Sequence, residues 1–581
     1  MFSNYDKEPS TVISGFDNDA QRGYAKISTV LNNQIHRNRK TTLVIECYPS
    51  VRHEEIIEGL KRHLPISAIF HAEHACKSIN EINTLLDRYL TDDRVLGFMT
   101  PFRIEEMYDS EKINEIQEKF NAVREGIVVI IGFGASLVAE GDILIYADLA
   151  RWEIQQRYRT NEFGNWHADN EREDILKKYK RGYFHDWRMA DRLKRSLFNK
   201  IDYYLDTNSG HDPKMVSWNA YVSGLKQLTS QPFRLVPYFD PGVWGGRWLE
   251  KHMNLPAKEY SYAWGFDGVP EENSLYLDYG SIRIESPAIN LVYLHPKALL
   301  GERVYARFGA EFPIRFDFLD TLEGQPLSLQ VHPTVGYIQE QFGMSYTQDE
   351  SYYIIESKTD AAVYLGLTEL ASPEQMIEDL TLAQQRIGSF PVDHYINAFP
   401  ARKHDHFLIP AGTIHCAASD CVVLEISATP YIFTFKLWDW DRCGLDGKPR
   451  PVHIAHGAQV IQWDRTTSWV EQNLVNKVER IDAGNGWIEE RTGLHEFQFI
   501  ETHRHWFSEK VEHTGNGSVQ VLNLVEGESA IVESPDESFT PFVIHFAETF
   551  IMPASISSYT IRPFGFEEGK RLATIKAYVR A

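Results

Sequence analysis

The stretch PLSLQVHP, residues 326–333, decides the fold of the larger part of this chain. Side chains on a β-strand alternate between its two faces, so Gln330 and His332 point to one face while Leu329 and Val331 point to the other. A Gln-x-His pair that faces the mouth of a β-barrel needs polar partners from other strands. The pattern therefore predicts a barrel with a polar site.

Two downstream stretches supply matching side chains. Glu350 opens ESYYII, residues 350–355, and His415 closes IPAGTIH, residues 409–415. Two imidazoles, one carboxylate and one amide oxygen from three strands can hold a divalent metal ion and leave a position open for water or substrate. We therefore expect Gln330, His332, Glu350 and His415 to bind one metal ion.

The bulk composition excludes several classes of protein. A chain of 581 residues is too long for one core and predicts two to four domains. Its formal net charge of −22 disfavours nucleic-acid and anionic-membrane partners. Five sparse cysteines without CxxC pairs, no signal pattern and no apolar run long enough to span a bilayer predict a cytoplasmic protein.

The first third of the chain alternates short apolar runs with amphipathic stretches, which is typical of a parallel sheet covered on both faces. The predicted strands lie at 42–45, 67–70, 95–98, 127–131 and 143–146. Helical faces are predicted within 54–64, 79–89 and 113–123. The strand order and the segment 126–157 resemble the P-loop kinases of the uridine kinase type.

The phosphate loop of such kinases is degenerate here. The sequence ECYPSVRH, residues 46–53, stands where GxxxxGK[ST] is required, so the backbone cannot wrap a triphosphate and Glu46 would repel it. Arg52 and His53 leave a weak anion site open. We expect a scaffold or oligomerisation domain, which could make the protein a homo-oligomer, rather than an active kinase.

A helical extension follows, and its basic run 177–181 is interpreted as a solvated helix face rather than a nucleic-acid site. From Phe233 onward, short strands and Gly/Pro turns predict an all-β barrel or jelly roll, with a helical insertion at 372–385. A second β segment begins near Phe497 and echoes the first, which predicts two related barrels in tandem. Its HRH sequence, residues 503–505, is interpreted as a surface strand and not as a second metal site.

Several phrases in one order carry a resemblance to a known family. They are VWGG (243–246), LSLQVHP (327–333), YLGL (364–367), IPAGTIH (409–415), WDWDR (438–442) and GKPRPVHI (447–454). Residues 233–581 thereby resemble the type I phosphomannose isomerases, which belong to the cupin superfamily. The resemblance implies that Zn²⁺ is bound by Gln330, His332, Glu350 and His415. It also implies the interconversion of mannose 6-phosphate and fructose 6-phosphate through an enediol.

The resemblance also suggests the catalytic groups. Glu425, ten residues after the metal histidine, is a candidate general base, and Lys436 stands where bacterial members carry a catalytic arginine. Arg442, Lys448 and Arg450 are candidate contacts for a substrate phosphate, although each could equally be a surface charge.

The sequence also departs from the family pattern. Two family lysines are replaced by Asp317 and Gln348, and the glutamate of a GESWE-like phrase by Tyr262. The two lysine losses remove positive charge near the pocket, so they leave open whether the substrate is phosphorylated.

The predicted organisation is multidomain, with an α/β domain at 1–230 followed by an all-β tandem cupin module. The metal-binding cupin domain spans 231–480 and the second cupin-like domain spans 481–581. The predicted partner is a small sugar phosphate. Two alternatives remain: an isomerase of another, unphosphorylated sugar, and a non-catalytic sugar or nucleotide sensor.

Overall fold

The computed structural model describes residues 4–35 and 39–580. Its strands are short and most of them belong to antiparallel sheets. In chain order they are β1 Ser10–Val12, β2 Ala20–Arg22, β3 Lys40–Cys47, β4 Ile66–His71, β5 Gly126–Gly132, β6 Ile143–Asp148, β7 Tyr203–Asp206, β8 Lys214–Ser217, β9 Tyr238–Pro241, β10 Tyr262–Gly268, β11 Ser274–Tyr279, β12 Ile282–Pro287, β13 Ile314–Asp320, β14 Leu329–Val331, β15 Glu350–Ser357, β16 Ala362–Leu367, β17 Ile396–Pro400, β18 His406–Ile409, β19 His415–Ala417, β20 Cys421–Ala428, β21 Phe435–Trp438, β22 Glu479–Gly484, β23 Trp487–Gly493, β24 Ile500–Phe507, β25 Val511–Thr514, β26 Gln520–Glu526, β27 Ser529–Glu533, β28 Phe542–His545, β29 Thr549–Met552, β30 Ser558–Pro563 and β31 Leu572–Val579.

The helices are concentrated in the first half of the chain. They are α1 Tyr24–Asn32, α2 His53–Lys61, α3 Ile79–Leu90, α4 Ser110–Ala122, α5 Ala135–Val138, α6 Arg151–Arg159, α7 Ile175–Arg181, α8 Trp187–Leu197, α9 Trp218–Leu228, α10 Trp248–His252, α11 Ile289–Leu294, α12 Pro296–Leu300, α13 Glu302–Phe308, α14 Val335–Phe342, α15 Pro373–Gln384, α16 Val392–Tyr395, α17 Ile454–Val460 and α18 Thr467–Asn473. In the described part of the chain, every helix is too short or too polar to cross a membrane.

The chain divides into two compact units. The α/β unit comprises Ser10–Gln227 together with Ser274–Leu294, and the β unit comprises the remaining described residues. The first boundary lies close to the predicted one at 230. The α/β unit also includes Ser274–Leu294, whereas the division predicted from sequence is linear. In this segment β11 pairs with β1, and β12 pairs with β11, through main-chain hydrogen bonds. The boundary predicted at 480 stays a prediction.

The α/β unit is organised around a seven-stranded sheet in the order β2-β8-β7-β6-β3-β5-β4. The strands from β7 to β4 run parallel, and β3 is central and almost completely buried, as its apolar run requires. At the carboxyl end of β3, Glu46 accepts hydrogen bonds from the amides of Gly134 (2.6 Å) and Ser136 (2.9 Å). A side-chain carboxylate therefore binds backbone donors of the kind that could hold a phosphate. The relation to P-loop kinases stays a prediction.

Two details of the α/β unit correct the sequence interpretation. The strand predicted at 95–98 is wrong, because Asp93 accepts hydrogen bonds from the first two amides of this segment and Tyr89 accepts one from Phe98, which leaves a loop. At the predicted anion site, Arg52 instead forms a two-pronged ion pair with Glu162, at 2.5 and 2.9 Å.

The basic run 177–181 is also not a solvated helix face. Lys178 and Lys180 are buried in α7. The ammonium group of Lys178 donates to the carbonyls of Tyr158 and Glu171, and that of Lys180 donates to the carbonyl of Leu90. Main-chain oxygens thus satisfy the two charges, so these lysines hold loops of their own unit.

The β unit contains two pairs of sheets. The first pair, here called the metal sandwich, has a six-stranded sheet in the order β18-β15-β20-β13-β10-β9 and a five-stranded sheet in the order β17-β16-β19-β14-β21. The predicted helical insertion is confirmed as α15. The second sandwich has the order β22-β23-β24-β31-β26-β29 in one sheet and β25-β30-β27-β28 in the other, and an apolar core that includes Phe507, Leu522 and Ile561 lies between them.

The HRH sequence lies in β24, so the strand prediction is confirmed, but its position on the surface is wrong. His503 and His505 are buried, and both contact the carboxylate of Glu489, at 2.7 and 3.0 Å. His503, His505 and Phe507 are spaced by two along β24, so their side chains share one face of the strand. Because Phe507 belongs to the apolar core, both imidazoles lie on the inner face of the second sandwich.

Candidate metal centre

The short strand β14 brings Gln330 into the middle of the five-stranded sheet. Gln330 lies opposite His415 of β19 on one side and opposite Lys436 of β21 on the other. Residues directly opposite each other on antiparallel strands have their side chains on the same face. Leu329 and Val331 are completely buried on the other face, so the hydrophobic alternation fixes which face carries the polar residues.

The turn before His415 is built by the phrase IPAGTIH. The amide of Thr413 donates to the carbonyl of Pro410 at 3.1 Å, and the amide of Gly412 donates to the carbonyl of His332 at 2.9 Å. Gly412 has a φ of +86°, and a Cβ atom there would lie 2.7 Å from Cγ of Gln462. Glycine is therefore required for this turn, which ties the segment of one histidine to that of the other.

The four predicted metal ligands converge on one point. Nε2 of His415 lies 2.6 Å from Oε1 of Glu350, and Nε2 of His332 lies 3.2 Å from Oε2 of the same carboxylate. Nε2 of the Gln330 amide lies 3.2 Å from Nε2 of His415. All four side chains are buried, and Glu350 comes from the sheet opposite to the other three.

The chemistry of these donors fits a divalent metal ion. Nδ1 of His415 donates to the carbonyl of Thr413 at 2.9 Å, which leaves the lone pair of Nε2 directed at the centre. Apart from these contacts inside the centre, neither nitrogen of His332 nor Oε1 of Glu350 has a hydrogen-bond partner within residues 4–35 and 39–580. In the same described residues, one cluster of His, Cys, Asp or Glu side chains could hold a metal ion. It consists of His332, Glu350 and His415, whose donor atoms lie within 4.8 Å of one another.

The electrostatics of the centre agree with this fit. Burial raises the pKa of Glu350, but the neighbouring imidazoles of His332 and His415 outweigh burial and hold it well below its ordinary value. The carboxylate therefore stays ionised inside the protein, as a metal ligand must.

Glu425 lies next to the centre on β20. The amide nitrogen of Gln348 donates to Glu425 and to Glu350, at 3.1 Å in each case, so it bridges the two carboxyl groups. Asp317 lies directly opposite Glu425 on β13. Burial, with Asp317 and Glu350 nearby, raises the pKa of Glu425 well above its ordinary value.

Lys436 is half-buried and lies beside the centre, opposite Gln330. Burial lowers the pKa of its ammonium group to about 7, and the positive charges of Arg450 and Arg442 act in the same direction. Lys436 can therefore exchange a proton near neutral pH.

Arg442 and Arg450 converge on one buried carboxylate. Oδ1 of Asp439 accepts from Arg442 at 2.5 Å and Oδ2 pairs with Arg450 at 3.1 Å. The hydroxyl of Ser328 donates to Asp439 at 2.8 Å. Lys448, in contrast, is exposed, and its amide donates to Asp446 in a turn.

Sequence reasoning gave no role to several residues that the structure brings to this region. Asp439 and Ser328 link the two arginines, and Gln348 links the two glutamates. One feature of the sequence could have identified some of these residues, namely polar side chains spaced by two, which share one face of a strand. Ser328, Gln330 and His332 have this spacing along one segment, and Arg315 and Asp317 have it along a buried strand. Charges in a fully buried strand mark an interior site.

Comparisons with known proteins give two separate results. Residues 23–230 match the model of a family described as a domain of unknown function, DUF8485. Other relatives are named for an activity. Mannose-6-phosphate isomerase ManA of Bacillus subtilis strain 168 is 25% identical over 241 residues, which are 40% of this chain and 69% of ManA. Mannose-6-phosphate isomerase of Streptococcus mutans serotype c is 25% identical over 236 residues, which are 40% of this chain and 68% of that protein.

A solved structure is also similar. The mannose 6-phosphate isomerase of Bacillus subtilis gives a TM-score of 0.49 at 19% sequence identity, covering 60% of this chain and 99% of that one. The relatives are thus phosphomannose isomerases, and the resemblance inferred from the sequence motifs is confirmed.

Proposed function

We propose that this protein is a zinc-dependent aldose–ketose isomerase that interconverts mannose 6-phosphate and fructose 6-phosphate. The observation that carries the proposal is the convergence of His332, Glu350 and His415 within 4.8 Å, beside Gln330, in the interior of the metal sandwich. The similarity to proteins named mannose-6-phosphate isomerase supports the choice of reaction.

The four residues of the centre would hold the metal ion. When bound, a divalent metal ion supplies Lewis-acid polarisation of the sugar oxygens. Two imidazoles, one carboxylate and one amide oxygen suit zinc and leave room for a substrate oxygen. The amide of Gln330 would turn its oxygen toward the centre, because the oxygen and nitrogen of an amide exchange places by a half rotation.

The proton transfer between C1 and C2 of the sugar is assigned to Glu425. Its carboxyl group is buried next to the centre, and a carboxyl group with a raised pKa is a stronger base than an ordinary one once it is ionised. Gln348 holds the group by a hydrogen bond of 3.1 Å to Oε1. Lys436, which lies opposite Gln330, would stabilise the negative charge that develops on the enediol oxygen.

The phosphate of the substrate is assigned to Arg442 and Arg450. Within the described residues these two cations share one ion-pair partner, Asp439, so the group keeps a net positive charge. Ser328 contacts this group and lies two residues, or about 7 Å, before Gln330 along an extended segment. One substrate could therefore reach both. The assignment of Lys448 is weaker, since its side chain is exposed.

The test combines elemental analysis with two substrates. We expect one zinc ion per chain and turnover of mannose 6-phosphate, measured by a coupled assay for fructose 6-phosphate, that chelation abolishes and zinc restores. His415→Ala, prepared in parallel, serves as the metal-free control. Faster turnover of free mannose would indicate an isomerase of unphosphorylated sugars, and metal-dependent sugar binding without turnover would indicate a sensor.

A further inference from the structure

A second set of polar residues lies inside the metal sandwich, away from the metal ligands. Arg315 and Asp317 are both buried in β13, where every residue is buried. Arg315 lies opposite Ser427 of β20, and Ser427 lies opposite Glu350 of β15. Arg315 therefore shares a sheet face with the metal ligand Glu350, two strands or about 10 Å away.

Several polar atoms on this face have no hydrogen-bond partner among the described residues. They are Nε and Nη1 of Arg315, Oδ1 of Asp317, Oη of Tyr352 and Oε1 of Gln348. Buried polar groups in folded proteins are nearly always paired, so a concentration of unpaired ones points to bound molecules. The set contains donors and acceptors.

The guanidinium of Arg315 is held in place without using these donors. Its central carbon stacks over the ring of Tyr431 at 4.1 Å, and the hydroxyls of Tyr431 and Tyr238 both donate to the buried carboxylate of Glu272. The side chain is thus supported from one side by an aromatic ring. Its unpaired N–H groups remain available for a ligand.

We propose that Arg315 and Asp317 form a subsite that binds the hydroxyl groups of a polyhydroxylated substrate. A sugar hydroxyl accepts a hydrogen bond and donates one, so a single hydroxyl, or two neighbouring ones, can pair with both side chains. The inference rests on the proposed function, since it names the part of the site that recognises the sugar chain.

The charges around Arg315 favour hydroxyl groups over a phosphate. The guanidinium interacts electrostatically with Asp317, Glu272 and Glu425, so its positive charge is already balanced by acidic groups. The cationic group formed by Arg442 and Arg450 has fewer acidic partners within the described residues and is the better site for phosphate. The substrate would therefore lie with its phosphate toward the arginines of the Asp439 cluster and its hydroxyls toward Arg315.

The test uses two probes that the protein cannot isomerise, sorbitol 6-phosphate and inorganic phosphate, with zinc-loaded protein and titration calorimetry. Arg315→Met keeps the stacking volume and removes the donors. It should weaken sorbitol 6-phosphate about tenfold or more, the effect of losing a hydrogen bond to a charged group, and leave inorganic phosphate unchanged. Arg450→Met should weaken both probes. Arg562→Met, in the second sandwich where Arg562 pairs with Glu533, is the control that should change neither.

Asp317→Asn provides an independent variant if Arg315→Met does not fold. It removes a charge next to Glu425 and should weaken sorbitol 6-phosphate without affecting zinc content. Unchanged affinity of either folded, zinc-loaded variant would overturn the inference. Equal weakening of both probes by Arg315→Met would also overturn it, because Arg315 would then bind the phosphate. The inference would also be overturned if the wild-type protein bound sorbitol 6-phosphate no more tightly than inorganic phosphate.

Turnover of mannose 6-phosphate separates the two proposals. A wild-type protein that turns this sugar over, while its Arg315→Met variant binds the polyol unchanged, would refute only the subsite. A protein that binds the polyol through Arg315 without any turnover would refute only the isomerase function.

Discussion

Replacement of Asp439 by Asn tests the cationic group most directly. The side chain of Asp439 is 4% exposed, and its ion-pair partners Arg442 and Arg450 are 11% and 15% exposed. The substitution keeps the shape of the side chain but removes the carboxylate that pairs with both guanidinium groups. Ser328 also loses its charged acceptor.

The expected loss of stability follows from this burial. Removing one partner of a buried ion pair costs about 3–5 kcal/mol, and the partial exposure of both arginines places the expected loss near the lower figure, about 3 kcal/mol. The β unit has roughly 340 residues, and at about 2.1 cal/mol/K of unfolding entropy per residue each kcal/mol lowers the midpoint of thermal unfolding by about 1.4 °C, so the transition of the β unit should move down by about 4 °C.

Phosphate should change this result in a characteristic way. Because two guanidinium charges are left without a counter-charge in Asp439→Asn, inorganic phosphate should bind the variant more tightly than the wild type and restore part of the lost stability. The measurement is scanning calorimetry with and without phosphate. Asp441→Asn, at an exposed neighbouring position, is the matched control and should change little. A variant with a midpoint within about 2 °C of wild type, or with no added response to phosphate, would refute the reasoning.

Three further outcomes are expected. His415→Ala should abolish zinc binding and turnover, because one of the two imidazoles of the centre is lost; full zinc occupancy by elemental analysis would contradict this. Lys436→Ala should lower kcat while zinc content is unchanged, and an unaltered kcat would remove Lys436 from the mechanism. Glu46 is fully buried and its pKa is raised to about 7, mainly by burial, from an ordinary value of 4.5. The folded state therefore keeps this proton in a range where the unfolded state has lost it, so the free energy of unfolding should fall as pH rises from 4.5 to 7. Glu46→Gln should remove this fall, which amounts to about 3 kcal/mol, in denaturant titrations at pH 5 and pH 8, and an identical pH dependence in both proteins would contradict it.

Most of the elements that were predicted from periodic patterns are confirmed by the structure. The strands β3, β4, β5 and β6 and the helix α15 were predicted from apolar runs and helical spacing, because periodicity reports directly which residues are buried. The strand predicted at 95–98 was wrong, because the amides of this segment donate to Asp93 and Tyr89 rather than to a neighbouring strand. No local sequence pattern reveals these hydrogen bonds.

Charge placement was the weakest part of the sequence interpretation. Lys178 and Lys180 look like a solvated face in sequence, yet their ammonium groups are buried against main-chain carbonyls from other segments. His503 and His505 look exposed and are buried against Glu489. In both cases most of the partners belong to other segments of the fold, which composition and spacing do not identify.

The sequence by itself determined the identity of the candidate metal ligands, because Gln330, His332, Glu350 and His415 each occur in a distinctive phrase whose alternation or turn chemistry fixes the direction of the side chain. Only the tertiary structure decided which charges belong together. The pairing of Asp439 with Arg442 and Arg450, and the shared face of Arg315 and Glu350, depend on strand register and on the facing of two sheets. Register is set by the sum of packing and hydrogen bonds along whole strands, so a local stretch of sequence contains too little information to specify it.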